Sequence, residues 1–252
     1  MAGAVEIVDV ASVPPIGRAE AVPVAATEND RFTTMLGALP GDAWDRPTDC
    51  IRWSVRDVVA HVLGAAEGFV SFRESGRQLR GAWAARPWGG MLAFVDALNE
   101  VQVRDRRDVP VDELVERFAA AAPRAARVRA RLPRPLRAVP IPFPDPIGRR
   151  NLAYGADRVY TRDIWMHRID VSRGAGIAPV LTPEHDGRIV ADIVAEWATT
   201  HDEPFDLVLD GPAGGRFRRG TATPVRVDAV DAIRVLSGRG EAEGVLAHPF
   251  PL

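Results

Sequence analysis

A single predicted helix, residues 152–173, carries a polar stripe that limits what this chain can fold into. At about 100° per residue, Tyr160, Asp163, His167 and Asp170 fall within an arc of about 80°. Apolar residues border this arc on both sides. Carboxylates and imidazoles are costly to bury unless they are paired or bind a metal ion. The stripe therefore predicts a helix that points ionisable groups into the interior of a helical bundle.

Two histidines and a carboxylate have the spacing of a metal site. Asp163 and His167 are four residues apart, so on a helix they share one face and can bind the same ion. His61, on a second predicted helix, would complete three protein ligands and leave one coordination position open, as in catalytic zinc sites. On the residues alone, two ordinary interpretations stay open. Asp163 and His167 are equally typical of a surface hydrogen-bonded pair, and His61 of a core residue.

The helix that carries His61 has a clear start in the sequence. Ser54 is placed to be its N-cap and Asp57 its third residue, which predicts a capping box. Trp53 before the cap and Val58 after it have the spacing of a hydrophobic staple. We therefore expect the orientation of this helix to be fixed two turns ahead of His61.

The pattern along the chain predicts three segments. Residues 1–26 form an extended N-terminal arm, because prolines interrupt them. Residues 27–178 form an all-helical body, and residues 179–252 form a small α+β C-terminal domain. The predicted helices span residues 27–39, 54–72, 91–107, 111–132, 152–173, 182–197 and 229–236, and the predicted strands span residues 205–209 and 224–228.

Composition argues against several classes of protein. A net charge of -2 and a pI near 6.2 give no basic excess for nucleic acid. No apolar run approaches about 18 residues and no signal-peptide pattern is present, so we expect a cytoplasmic protein without a membrane span.

Cys50 is the only cysteine and has no histidine near it in the sequence, so we interpret it as structural. All 32 basic residues are arginine, which indicates a GC-rich, actinobacterial genome.

Three stretches of the sequence resemble one known family. They are residues 39–61, which include LPGDAW and WSVRD, residues 160–176, and residues 227–239, which end in LSGR. In this order they resemble the mycothiol-dependent maleylpyruvate isomerase family. The resemblance implies a mainly α fold, with a DinB-like up-down four-helix bundle followed by a small, sterol-carrier-like α+β domain.

The resemblance also implies which residues form the site. A divalent ion, with zinc expected, would be held by His61, Asp163 and His167. The family pattern usually has Glu where this chain has Asp163, which is one methylene shorter, so the identity of the metal stays open. Asp170 and Tyr160 would lie behind these ligands, with Asp170 orienting an imidazole N–H or serving as an ordinary helix charge.

Arg239 matches a family position suspected of reaching the active site from the small domain. An arginine there would bind a carboxylate of the substrate through two hydrogen bonds. The alternative is an arginine that only caps the end of a helix.

The function implied is that of an enzyme that depends on a metal and on the small thiol mycothiol. It would be a cis-trans isomerase or a thiol transferase that acts on a small electrophile, including dicarboxylates. Its partners would be this substrate and the thiol, and we expect it to bind neither nucleic acid nor a membrane. The protein would be a monomer or a homodimer. The alternative is a non-catalytic metal-binding or small-ligand-binding protein of the DinB-like superfamily.

Overall fold

The structure is a computed structural model that describes residues 6–85 and 90–252. The chain divides into two compact units. The first, called here the helical unit, contains Gly17–Pro144 and Gly148–Pro179. The second, called the mixed unit, contains Val180–Leu252, Asp145–Ile147 and the described part of Met1–Ile16.

Helices make up most of the helical unit, as the sequence predicts. They are α1 (Arg18–Gly37), α2 (Val55–Val70), α3 (Phe72–Ala85), α4 (Gly90–Arg104), α5 (Val111–Arg131), α6 (Arg134–Arg137), α7 (Leu152–Tyr154) and α8 (Tyr160–Ala175). A short antiparallel pair, β2 (Pro140–Pro142) and β3 (Arg149–Asn151), precedes α7, so the prediction of an all-helical body is wrong at this point.

The core of the bundle lies between α1, α2, α5 and α8. Each of α1 and α2 packs against both α5 and α8, so the four helices form a closed ring. Phe32 of α1 and Phe118 of α5 meet edge to face, with ring centroids 5.3 Å apart. Val58 and Leu63 of α2 and Ile164 of α8 are buried in the same cluster. The predicted mainly helical fold is confirmed.

The helix α2 begins as its sequence predicts. The Ser54 side chain accepts a hydrogen bond from the backbone N–H of Asp57, and the Asp57 carboxylate accepts one from the backbone N–H of Ser54 at 3.0 Å. Trp53 packs against the apolar cluster that contains Val58. The capping box therefore sets the first turn of the helix that carries His61.

The helices α1, α3 and α6 differ from the prediction. α1 begins at Arg18, nine residues before residue 27, so part of the predicted extended arm is helical. Pro23 lies in the second turn of α1, where it removes one intrahelical hydrogen bond without ending the helix. Residues 1–5 of the predicted arm lie outside the described residues. α3 and the short helix α6 were not predicted; α3 buries only Gln78 and Ala82.

The helix α8 is reached through an irregular segment. α7 is followed by a π-helical stretch, Gly155–Val159, before α8 begins at Tyr160. Such segments are frequent at functional sites because they shift the register of the side chains that follow. Gly176, with φ 70°, ends α8 in the left-handed conformation that glycine adopts at little cost.

The mixed unit contains a four-stranded sheet. Its strands, in spatial order, are β1 (Ile7–Asp9), β5 (Gly215–Arg219), β4 (Phe205–Asp210) and β6 (Pro224–Asp228). β5 runs antiparallel to β4 and parallel to β1, and β6 runs parallel to β4. The unit also contains α9 (Arg188–Trp197) and α10 (Ala229–Leu236).

The sequence predicts β4 and β6 but not β1 or β5. β5 carries three arginines in five residues, so it lacks the apolar alternation of a typical strand. Within the described residues, no helix has the length and apolar character needed to cross a membrane.

Candidate metal centre

His61 on α2 and the pair Asp163 and His167 on α8 converge at the interface of the two helices. The Nε2 atom of His61 lies 3.5 Å from Oδ2 of Asp163, and Nε2 of His167 lies 3.4 Å from Oδ1 of Asp163. His61 and His167 are 4% and 5% exposed, while the Asp163 side chain is 18% exposed. The structure thus brings together the three residues that the sequence singles out.

A glutamine on α4 fixes the orientation of the His61 ring. Nδ1 of His61 lies 2.8 Å from Oε1 of Gln102. The amide nitrogen of Gln102 donates to Oε1 of Gln78 at 3.0 Å, and Gln78 in turn donates to the carbonyl oxygen of Gly64. Because these amide nitrogens are used as donors, Oε1 of Gln102 is the acceptor and His61 carries its proton on Nδ1. Its Nε2 is left with a lone pair.

The carboxylate of Asp170 fixes the orientation of the His167 ring. Nδ1 of His167 lies 3.0 Å from Oδ2 of Asp170, one turn further along α8, and Asp170 is fully buried. The thiol of Cys50 donates to the same oxygen at 3.3 Å, and its sulfur lies 4.0 Å from Nδ1 of His167. A carboxylate behind an imidazole fixes the ring and makes it a stronger ligand.

The arrangement fits a divalent metal ion. Nε2 of His61 is buried and has no hydrogen-bond partner among the described residues, which is costly for a polar atom unless something binds it. The ligand atoms of His61, Asp163 and His167 all lie within 4.8 Å of one another. Ligands at 2.0–2.1 Å from a tetrahedral zinc ion are about 3.3 Å apart, close to the two measured distances. The shorter Asp163 side chain therefore reaches both histidines.

The charges of the three residues are strongly coupled. Burial raises the pKa of Asp163, but the neighbouring His167 and His61 outweigh it and hold that pKa well below its usual range. Burial lowers the pKa of His167, but Asp163, with hydrogen bonds to Asp170 and Cys50, raises it well above its usual value. The carboxylate is thus ionised, and a metal ion would have to displace a proton from His167.

An aromatic ring covers the cluster. The Trp53 ring centroid lies 5.1 Å from that of His61 and 6.1 Å from that of His167. An apolar cover restricts water and strengthens the electrostatic interactions beneath it. Trp53 thus has a place at the site as well as in the packing at the start of α2.

The remaining predicted residues have different positions. The Tyr160 ring packs edge to face on Phe69, with centroids 4.4 Å apart, and the Arg129 guanidinium lies over it. Arg239 belongs to the mixed unit, where its backbone N–H donates to the carbonyl oxygen of Arg234 in the turn after α10. The roles of Tyr160 and Arg239 at the site stay predictions.

Besides Trp53, the residues Gln102 and Cys50 were not assigned to the site from the sequence. Gln102 is a polar residue between Val101 and Val103 of α4. This polar position between two valines is the feature of the sequence that could have indicated a buried hydrogen-bonding role. Cys50 was interpreted as structural for want of a nearby histidine, but the fold brings His167 to it across 117 residues. Its thiol belongs to the hydrogen-bonded group behind His167.

Comparison with known proteins identifies the family. The profile of the mycothiol maleylpyruvate isomerase N-terminal domain matches residues 25–172, more than half of the chain. The chain belongs to this family. The matched residues include His61, Asp163 and His167 and thus all three members of the cluster in the family domain.

Two solved structures are similar to the chain over both units. They are the crystal structures of a mycothiol-dependent maleylpyruvate isomerase and of a histidine-to-alanine mutant of it. Each is 16% identical in sequence, with TM-scores of 0.56 and 0.57, and the alignments cover 92% of this chain and 92% of the other. No curated protein matches the chain significantly. At this identity the likeness shows the fold, a helical bundle with a small C-terminal domain.

Proposed function

We propose that this protein is a metal-dependent enzyme that uses a small thiol, mycothiol, to isomerise a small electrophile or to transfer the thiol to it. The observation that carries the proposal is the buried Nε2 of His61, which faces Asp163 and His167 and has no hydrogen-bond partner among the described residues. The family name pairs mycothiol with maleylpyruvate isomerase, and we carry both to this chain.

In this proposal the ion is zinc, held by Nε2 of His61, Nε2 of His167 and the Asp163 carboxylate. When bound, it would lower the pKa of a thiol or polarise a substrate carbonyl. Three protein ligands leave a position for an outside group, which distinguishes a catalytic site from a closed structural one. With Asp163 as the one carboxylate among its three ligands, a bound divalent ion would keep a net positive charge, which would favour a thiolate.

The residues of the chain itself have defined parts. Gln102 and Asp170 hold the two imidazoles through their Nδ1 protons, so that both Nε2 lone pairs point to one place. Trp53 limits the access of water to the bound thiolate. Arg239 of the mixed unit is proposed to hold a substrate carboxylate.

The chemistry is balanced without another reagent. The thiolate adds to an activated C=C bond, which forms a C–S bond and places the electron pair on the adjacent carbonyl system. The former double bond then rotates as a single bond. Return of the electron pair breaks the C–S bond and releases the thiolate with the alkene in its other geometry. Thiol transfer would stop after the addition and take up one proton.

The proposal is tested by loading the protein with cobalt(II) as a spectroscopic substitute and titrating mycothiol. We expect a thiolate-to-cobalt charge-transfer band that saturates with one thiol per chain, together with isomerisation of maleylpyruvate by the zinc-loaded protein. Mycothiol that binds equally well to the metal-free protein would contradict the mechanism. Metal binding without any response to thiol would instead support a non-catalytic binding protein.

A further inference from the structure

The helical unit contains a buried cation that nothing described there neutralises directly. Arg129 of α5 is 4% exposed. Within residues 6–85 and 90–252, no side chain forms an ion pair or hydrogen bond with its guanidinium, and its Nε is buried without an acceptor. Asp157 favours the charged form of Arg129, but its carboxylate is bound by Arg137. Buried arginines are rare unless they are paired, so this one needs an explanation.

Two aromatic rings hold this guanidinium in place. Its Cζ lies 5.6 Å from the ring centroid of Phe69 and 5.4 Å from that of Tyr160. The rings stand at 87° to each other, so they form a corner that the guanidinium covers. Contact with ring faces stabilises the cation but uses none of its N–H donors. The side chain is therefore oriented while its hydrogen-bonding capacity is left for another group.

Tyr160 connects Arg129 to the helix that carries Asp163 and His167. Tyr160 precedes Asp163 by three residues, a rise of about 4.5 Å along α8. Phe69 follows His61 by two turns of α2 and packs on Tyr160 across the interface between α2 and α8. Burial, with the charge of Asp163 adding to it, raises the pKa of Tyr160 to about 12. The guanidinium thus lies over the ring of the residue one turn before Asp163 on α8.

Arg129 is charged under ordinary conditions. Burial lowers its pKa to about 10, and Tyr160 and Asp157 oppose this effect. At neutral pH the site therefore offers a desolvated cation with free donors. A carboxylate is the group whose two oxygens match the planar guanidinium.

We propose that Arg129 binds a carboxylate of the small molecule that is processed at the His61, Asp163 and His167 cluster. The inference rests on the proposed function, because it assumes that the cluster is where the substrate reacts. A dicarboxylate would place one carboxylate on Arg129 and extend toward the metal centre. Arg129 would thus supply recognition of the substrate from within the helical unit.

The test measures the binding of maleate, a small dicarboxylate probe, by titration calorimetry. We expect maleate to bind the wild type and to bind Arg129→Met at least tenfold more weakly, with Arg129→Lys between them because lysine keeps the charge but not the paired donors. Arg124→Met, an exposed arginine on the same helix, is the control and should bind as the wild type does. The melting temperature of ligand-free Arg129→Met should equal or exceed that of the wild type, because an unpaired buried charge is removed.

Two outcomes would overturn the inference, namely equal maleate affinity in the wild type and Arg129→Met, or no maleate binding to the wild type. If Arg129→Met fails to fold, the Arg129→Lys comparison decides. Metal content measured on the same samples separates this inference from the proposed function. Arg129-dependent maleate binding without metal binding would support carboxylate binding by Arg129 and contradict the proposed metal-dependent function. Normal metal and thiol binding, together with equal maleate affinity in the wild type and Arg129→Met, would support the proposed function and contradict the inference.

Discussion

The two histidines of the cluster are oriented by different groups, and this difference sets how each can act. His61 is held by the neutral amide of Gln102, whereas His167 is held by the buried carboxylate of Asp170. A carboxylate partner increases the basicity of an imidazole more than an amide does. We therefore expect His167 to be the stronger ligand and His61 to depend on Gln102 for its tautomer.

Replacing Gln102 tests this dependence. In Gln102→Leu the Nδ1 of His61 loses its acceptor, and metal affinity should fall by roughly 10–100-fold. Gln102→Glu restores an acceptor and should recover most of that loss. Competition with a chromophoric chelator measures the affinity, and Glu100→Gln, exposed on the same helix, is the control. Equal affinity in Gln102→Leu and the wild type would show that His61 is oriented by other contacts.

At this scale the sequence predicts contacts within one helix better than contacts between helices. Asp170 follows His167 by three residues, so their pairing is readable from helical geometry. Gln102 and Cys50 reach the site only because α4 and the loop before α2 pack next to it. Their partners are set by tertiary structure, which residue spacing does not contain.

Among the elements, α2 and α4 approach each other closely at a glycine. An ideal Cβ on Gly64 would lie 2.6 Å from Cβ and 2.7 Å from Cγ of Gln102. No side chain fits there without moving α4, and Gln102 is the residue that holds His61. The close packing of the two helices and the orientation of a proposed ligand therefore depend on the same position.

Two glycine-to-alanine changes separate these effects. Gly64→Ala should cost about 1–3 kcal/mol of unfolding free energy through overpacking and should weaken metal binding as Gln102 moves. Gly76→Ala, in α3, meets nothing within 4 Å and should stabilise the protein by about 0.5–1 kcal/mol. Chemical denaturation and chelator competition measure both quantities. A Gly64→Ala protein with wild-type stability and affinity would show that α4 can move away freely.

The elements also show why some predictions succeed. The start of α2 is predictable because its cap, third residue and staple are all local. The start of α1 at Arg18 is not predictable from local sequence. Packing of α1 against α5 and α8 keeps the helix intact at Pro23. β1 forms only by pairing with β5, more than 200 residues later, and so leaves little local signal.

Across the whole molecule, the fold is similar to that of a protein with only 16% sequence identity, over 92% of both chains. The helical unit alone contains His61, Asp163, His167 and the residues that orient them. A buried cluster of two imidazoles and a carboxylate is costly unless its members are paired or bind something. We therefore propose that metal binding is a property of the helical unit.

Metal content per chain tests the central claim most directly. After equilibration with zinc and removal of the excess, we predict one zinc ion per wild-type chain, and much less than one in His61→Ala and in His167→Ala. His248→Ala, in the mixed unit, should retain one ion and serves as the matched histidine control. Full zinc occupancy in His61→Ala and His167→Ala, or none in the folded wild type, would contradict a metal centre at this cluster.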